Sequence, residues 1–176
     1  MELLPPESQM RWILRRSATL LRLGAEPVRG LVLPTAEFFP DEFDKSPQSV
    51  ARLLTRIQEH AGLRRIASEL AVVTPEGETQ TVSCSSGACG VGKPLGSEMK
   101  RVARREDGTF IVSVASGEIG HPVAITTTLV RAVAFMFMTE VGAYDELRPE
   151  EREPATDLAA TLLGFGVLVA NGSYIY

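Results

Sequence analysis

The chain has 176 residues, 44% of them hydrophobic and 23% charged, with a formal net charge of -4. These proportions exclude a disordered or fibrous protein, and the length is that of a single domain, residues 1–176, able to bury a core without disulfides or structural metal. The slight acidity gives no whole-molecule attraction to nucleic acid or to an anionic membrane, and two cysteines, Cys84 and Cys89, make no disulfide framework.

Met1 to Glu7 shows neither the basic nor the continuous apolar stretch of a secretory signal, so a cytoplasmic location with reduced thiols is expected. From Ser8 to Leu23, Trp12, Ile13, Leu20 and Leu21 alternate with Arg11, Arg15, Arg16 and Arg22, the pattern of an amphipathic helix closed by Gly24. Leu31-Val32-Leu33, between Gly30 and Pro34, is too brief for a helix and reads as a buried strand. After a turn-rich stretch from Asp41, Ser46 is placed to cap a helix that begins at Pro47, carries Val50, Leu53, Leu54 and Ile57 on one face, and stops at Gly62.

Leu70 to Val73 reads as a strand that the turn Pro75-Glu76-Gly77 joins to a hairpin partner, Thr79 to Cys84. A loop rich in Gly and Ser follows, from Ser85 to Ser97. Lys100, Arg101, Arg104 and Arg105 form a basic cluster without aromatic interleaving, flanked by Glu98, Glu106 and Asp107, and read as a solvated loop or helix face rather than a nucleic-acid contact. Thr109 to Val114 alternates as a half-buried strand.

Pro122 and Pro154 suit the first turn of a helix, and Gly142 and Gly172 the position just past its end, so two apolar helices finish the chain. The fold class that results is α+β: a small sheet, two amphipathic helices, and a C-terminal packed pair of apolar helices. Neither apolar run is expected to enter a membrane. Leu158 to Ala170, bounded by Asp157 and Asn171, falls short of the roughly 20 residues a span needs. Val123 to Met138 carries Arg131 at its centre together with Thr126, Thr127 and Thr128. Gly164 and Gly166, each costing about 1 kcal/mol inside a helix, imply a close helix approach.

Gly87-Ala88-Cys89-Gly90-Val91-Gly92-Lys93 has the spacing of a phosphate-binding loop up to its lysine, but Pro94 supplies no hydroxyl and disfavours the helix that should follow. Cys84 and Cys89 have few zinc-ligand companions, since His60 and His121 are the only histidines. His121, before Pro122, reads as structural more readily than as a ligand or base.

The run Thr156-Asp157-Leu158-Ala159-Ala160-Thr161-Leu162-Leu163-Gly164-Phe165-Gly166-Val167-Leu168-Val169-Ala170-Asn171 resembles the second helix of a group of bacterial proteins built on the zincin pattern, in which an earlier helix carries HExxH. The resemblance covers about the last third of the chain. Laid over the family's first helix, Leu129 to Phe135 puts Arg131 and Phe135 at the two histidine positions and Ala132 at the glutamate position. A shift by one residue puts Val130, Arg131 and Ala134 there instead, and again supplies no ligand. Asp157 stands where the resemblance assigns the third ligand, a buried carboxylate without its metal. Zinc catalysis needs donors to hold the ion and a base for its bound water, and neither alignment provides them.

The Arg131 guanidinium is therefore expected either to take the metal's place and pair with Asp157, or to reach solvent while Asp157 favours the start of its helix. The resemblance implies a zincin-like fold that is not an enzyme and holds no cofactor, acting as a binding, regulatory or assembly module for a protein partner, with self-association left open. The alternatives are a metal-dependent hydrolase with ligands rebuilt from Cys84, Cys89, His121 or Asp157, and a nucleotide-binding protein acting through residues 87–93.

Overall fold

A computed structural model describes residues 5–28, 30–74, 79–82 and 101–173, with 79–82 as backbone. The Ser46 hydroxyl accepts a hydrogen bond from Ser49 N (3.1 Å), so α2 (Pro47–His60) begins at the residue the sequence marks as its cap. α1 (Glu7–Arg22) closes at Leu23 and Gly24, the latter at a φ of 92° that suits glycine. His60 is buried at the end of α2, its Nε2 2.9 Å from the Phe38 carbonyl and its ring against the edges of Phe38 and Phe39. That histidine holds a loop in place.

The sheet has the order β2-β1-β4-β3, built from β1 (Ser68–Val73), β2 (Thr79–Val82), β3 (Val102–Arg104) and β4 (Phe110–Ala115). β1 runs antiparallel to β2, as the hairpin reading expects, and parallel to β4. The register sets Leu70 and Val72 beside Val112 and Val114, all buried, and α2 and α3 (Pro122–Glu140) cover the sheet. Gln58 fastens α2 to the entry of β1, donating to the Ile66 carbonyl (3.1 Å) and accepting from Ser68 Oγ (2.8 Å).

β3 corrects the reading of residues 100–105 as a loop or helix face. Asp107 accepts from Thr109 N (2.9 Å) and Gly108 adopts a φ of 87°, which turns the chain so that β3 pairs antiparallel with β4. Lys100 lies outside the described residues.

α3 is apolar around most of its circumference because it is packed on three sides, by α2, by α4 (Pro149–Ala160) and by α5 (Gly166–Gly172). α4 begins earlier than expected. Pro149-Glu150-Glu151 forms its first turn, with the Glu151 carboxylate accepting from Arg148 N (3.3 Å), which leaves Pro154 inside the helix on an exposed face. α4 and α5 meet at a kinked turn, Thr161–Phe165, where Gly164 has a φ of 97°. By length and composition Pro122–Glu140 and Pro149–Gly172 are each apolar enough to cross a membrane, and half of each such stretch is buried within the fold.

The kink explains a second correction, because Leu31-Val32-Leu33 is not a strand. Gly30, at a φ of 73°, breaks the extended run, and only Val32 is buried, its N–H donating to the Gly164 carbonyl (2.9 Å). A Cβ at Gly164 would overlap the Gly30 carbonyl oxygen, so the close partners of this glycine are Pro27 and Gly30 rather than a helix. The close approach of helices falls instead at Gly172. It is the last residue of α5, not the residue beyond it, and it lies so near Thr127 that a Cβ would overlap the Thr127 side chain. Thr127 Oγ1 also donates to the Leu168 carbonyl (3.1 Å), which ties α3 to α5.

Candidate functional site

Arg131, Ala132 and Phe135, the three positions singled out in the sequence, line one cleft of about 860 Å3. β3 forms one wall with Arg101 and Arg104, α3 forms the floor, and α4 supplies Arg152, Glu153 and Thr156. Such a volume is ample for a small molecule or a short peptide segment. Sequence reading missed Arg101, Arg104, Tyr144 and Arg152 as its lining. The basic cluster at 101–105 was the only signal, and it points to a cleft only once β3 is known to be a strand.

Asp157 is not among the residues that line this cleft, but it pairs with Arg131, whose Nε lies 2.8 Å from Oδ1. Two features correct the picture of a buried carboxylate. Both side chains are two-fifths exposed, and the buried Oδ1 receives no aligned hydrogen bond, so the contact is electrostatic attraction without good hydrogen-bond geometry. Desolvation raises the Asp157 pKa, the Arg131 charge opposes it, and Glu153 adds to the rise; the net direction is upward. A helix-dipole role is removed as well, since Asp157 sits in the third turn of α4 rather than at its start.

The remaining arginines differ in how far they are satisfied. Arg101 grips Glu118 with two nitrogens, one at 2.6 Å, and burial of Glu118 is outweighed by this fork and by the Ala115 N–H, so its carboxyl stays below the ordinary range. Arg104 pairs with Glu140 (2.7 Å) and lies over the Phe110 ring. Arg152 lies over the Tyr144 ring at 5.2 Å, Tyr144 meets Phe135 edge-on at 4.5 Å, and among the described residues Arg152 has no carboxylate partner. Its Nε is buried without an acceptor.

A zinc ion does not fit these residues. Arg131 brings a cation, Ala132 and Phe135 bring no donor atom, and among the described residues no three His, Cys, Asp or Glu side chains converge. His121 is exposed at the start of α3, ten residues before Arg131 and thus roughly 15 Å along the helix from Asp157's partner. Cys84, Cys89 and the glycine loop 87–93 lie outside the described residues. A second cavity, of about 440 Å3, is lined by Phe39, Phe43, Leu53 and Leu168; the Arg56 at its rim is already committed to Asp41 (2.9 Å) and Glu59 (2.9 Å).

The fold and the cleft together define an α+β domain with an arginine-lined groove between a sheet edge and two helices. No family model, curated protein or solved structure matches this chain.

Proposed function

We propose that this chain is a non-catalytic, zincin-like domain that binds a segment of another protein, in a cytoplasmic setting. What supports the reading is the Arg131–Asp157 ion pair, which joins two positions to which the resemblance would assign metal ligands, with Ala132 at the position it would assign to a general base. A cation held there supplies the positive charge but neither a Lewis-acidic site with an open position nor a proton acceptor, and hydrolysis by this route needs both. A protein partner is favoured by β3, which pairs with β4 alone among the described residues and forms a wall of the cleft. A strand edge beside a groove is a common seat for extended peptide.

Elemental analysis of the purified protein, combined with peptide-library cleavage with and without a chelator, tests the reading. The expected result is no stoichiometric zinc and no chelator-sensitive cleavage. Stoichiometric zinc that disappears on Asp157→Asn would overturn it and favour the rebuilt hydrolase.

A further inference from the structure

We propose that the outward face of α1 docks on an anionic lipid bilayer, with Leu14 and Leu21 entering the interface and Arg11, Arg15 and Arg22 meeting the headgroups. α1 turns Trp12, Arg16 and Leu20 toward the fold, where Trp12 and Arg16 reach Glu151 and Leu20 is buried. On the opposite side, at about 100° per residue, Leu14, Ala18 and Leu21 fall in one row about 60° wide, and Arg11, Arg22 and Arg15 fall in an adjoining row about 40° wide. Leu14 is 69% exposed and Leu21 42%, and Ala18 and the three arginines are exposed beside them. α1 gives no residue to either cavity, so this surface does not depend on what the cleft holds.

Charge selects the kind of partner. Arg11 shares Glu7 (2.6 Å), but Arg15 and Arg22 form no ion pair with any described residue, so the face sets three arginines against one acid. Even with exposed Glu26, the next acid along the chain, counted against it, cations remain in excess. A two-fold contact between copies of this chain would bring the arginine rows together, and like charge opposes it. A groove in another protein would have to close around the helix, whereas α1 is fixed on α4 by Trp12 and Arg16 and offers one shallow side only. A bilayer needs no groove. Leucines that stand out from a helix enter the boundary of headgroups and acyl chains, while guanidinium groups on long stems reach the phosphates, and the two contributions together give reversible attachment where neither alone suffices. With a net charge of -4 on the whole chain, the attraction is local to this face and fixes which side of the domain meets the membrane.

The test is co-sedimentation of the full chain with vesicles of phosphatidylcholine alone and of phosphatidylcholine mixed with phosphatidylserine. Partitioning should be at least about tenfold stronger onto the mixed vesicles and should weaken from about 50 to about 500 mM salt. Leu14→Gln/Leu21→Gln and Arg15→Gln/Arg22→Gln should each lower it by about tenfold. All four side chains are exposed, and thermal melts confirm that the variants fold; should a double variant not fold, Leu14→Gln and Arg15→Gln alone decide. Absence of sedimentation, equal partitioning onto neutral and mixed vesicles, or partitioning unchanged in the folded leucine variant overturns the proposal. Binding to polyglutamate without binding to vesicles overturns it in favour of an acidic protein, and dimerisation lost in the leucine variant without vesicle binding overturns it in favour of a second copy. Each of these failures leaves the non-catalytic binding domain standing, and zinc-dependent cleavage would remove that reading without touching this one.

Discussion

Glu151 and Asp157 lie within two turns of each other on α4, yet their surroundings differ in kind. Glu151 is buried and accepts from Trp12 Nε1 (2.7 Å), Arg16 (3.2 Å) and Arg148 (3.2 Å). Arg148 contributes most and Trp12 next, and together with Arg16 they lower its pKa to about 2. Asp157 is two-fifths exposed, meets one guanidinium off-axis, and has its pKa raised by desolvation. One carboxylate closes a joint between α1 and α4 with its lone pairs taken; the other meets a single arginine, which itself lines the cleft. Saturation marks Glu151 as a structural acid, and Asp157 lacks that saturation.

The largest effect should come from disturbing the contact of Gly164 with the Gly30 carbonyl. Gly164→Ala places a Cβ against the Gly30 carbonyl at a φ of 97° and should lower stability by about 3 kcal/mol in urea unfolding. A loss under about 1 kcal/mol would mean that Gly30 is not held against Gly164.

Next in size are Glu151→Gln and Trp12→Phe, both less stable than wild type at neutral pH. A carboxyl whose pKa falls on folding from 4.5 to about 2 stabilises above 4.5 and loses that contribution as pH drops through the window. The gap between wild type and Glu151→Gln should therefore close between pH 4.5 and about 2, as followed by denaturant melts across that range.

The smallest effect belongs to the cleft. Asp157→Asn should change stability at pH 7 by no more than about 0.5 kcal/mol, because the pair is exposed and screened. Its pH dependence has the opposite sign. A raised acid pKa gives stability that is complete below 3.8 and lost as pH rises through the folded value, so the comparison with wild type shifts in favour of Asn on raising the pH. A loss at pH 7 as large as that of Glu151→Gln would erase the distinction between the two acids. The exchange Arg131→Asp/Asp157→Arg sharpens the same point: if the pair attracts, the double variant is more stable than either single one.

Local chemistry made much of this legible beforehand. Ser46 with Pro47 announced α2, Gly24 closed α1, and alternation at Phe110, Val112 and Val114 revealed β4, while the pairing of Arg131 with Asp157 was one of two readings left open. Tertiary pairing hid the rest. β3 has three residues, too few to show alternation, and its strand character comes from β4. Pro154 drew attention away from Pro149, although the acids at 150 and 151 mark the true helix start. Arg152 reads as an ordinary helix-surface charge until Tyr144 and the cleft wall are in place.

The bond from Trp12 to Glu151 spans 139 positions and involves the only tryptophan in the chain. α1 is made before α4, and its indole cannot meet Glu151 until α4 exists, so α1 must wait for the residues between them before docking. Intrinsic fluorescence during refolding thus reports the final closure of the molecule, and it should trail the far-ultraviolet signal of helix formation. The same delay leaves an amphipathic, arginine-rich helix open to early encounters while the protein is being made.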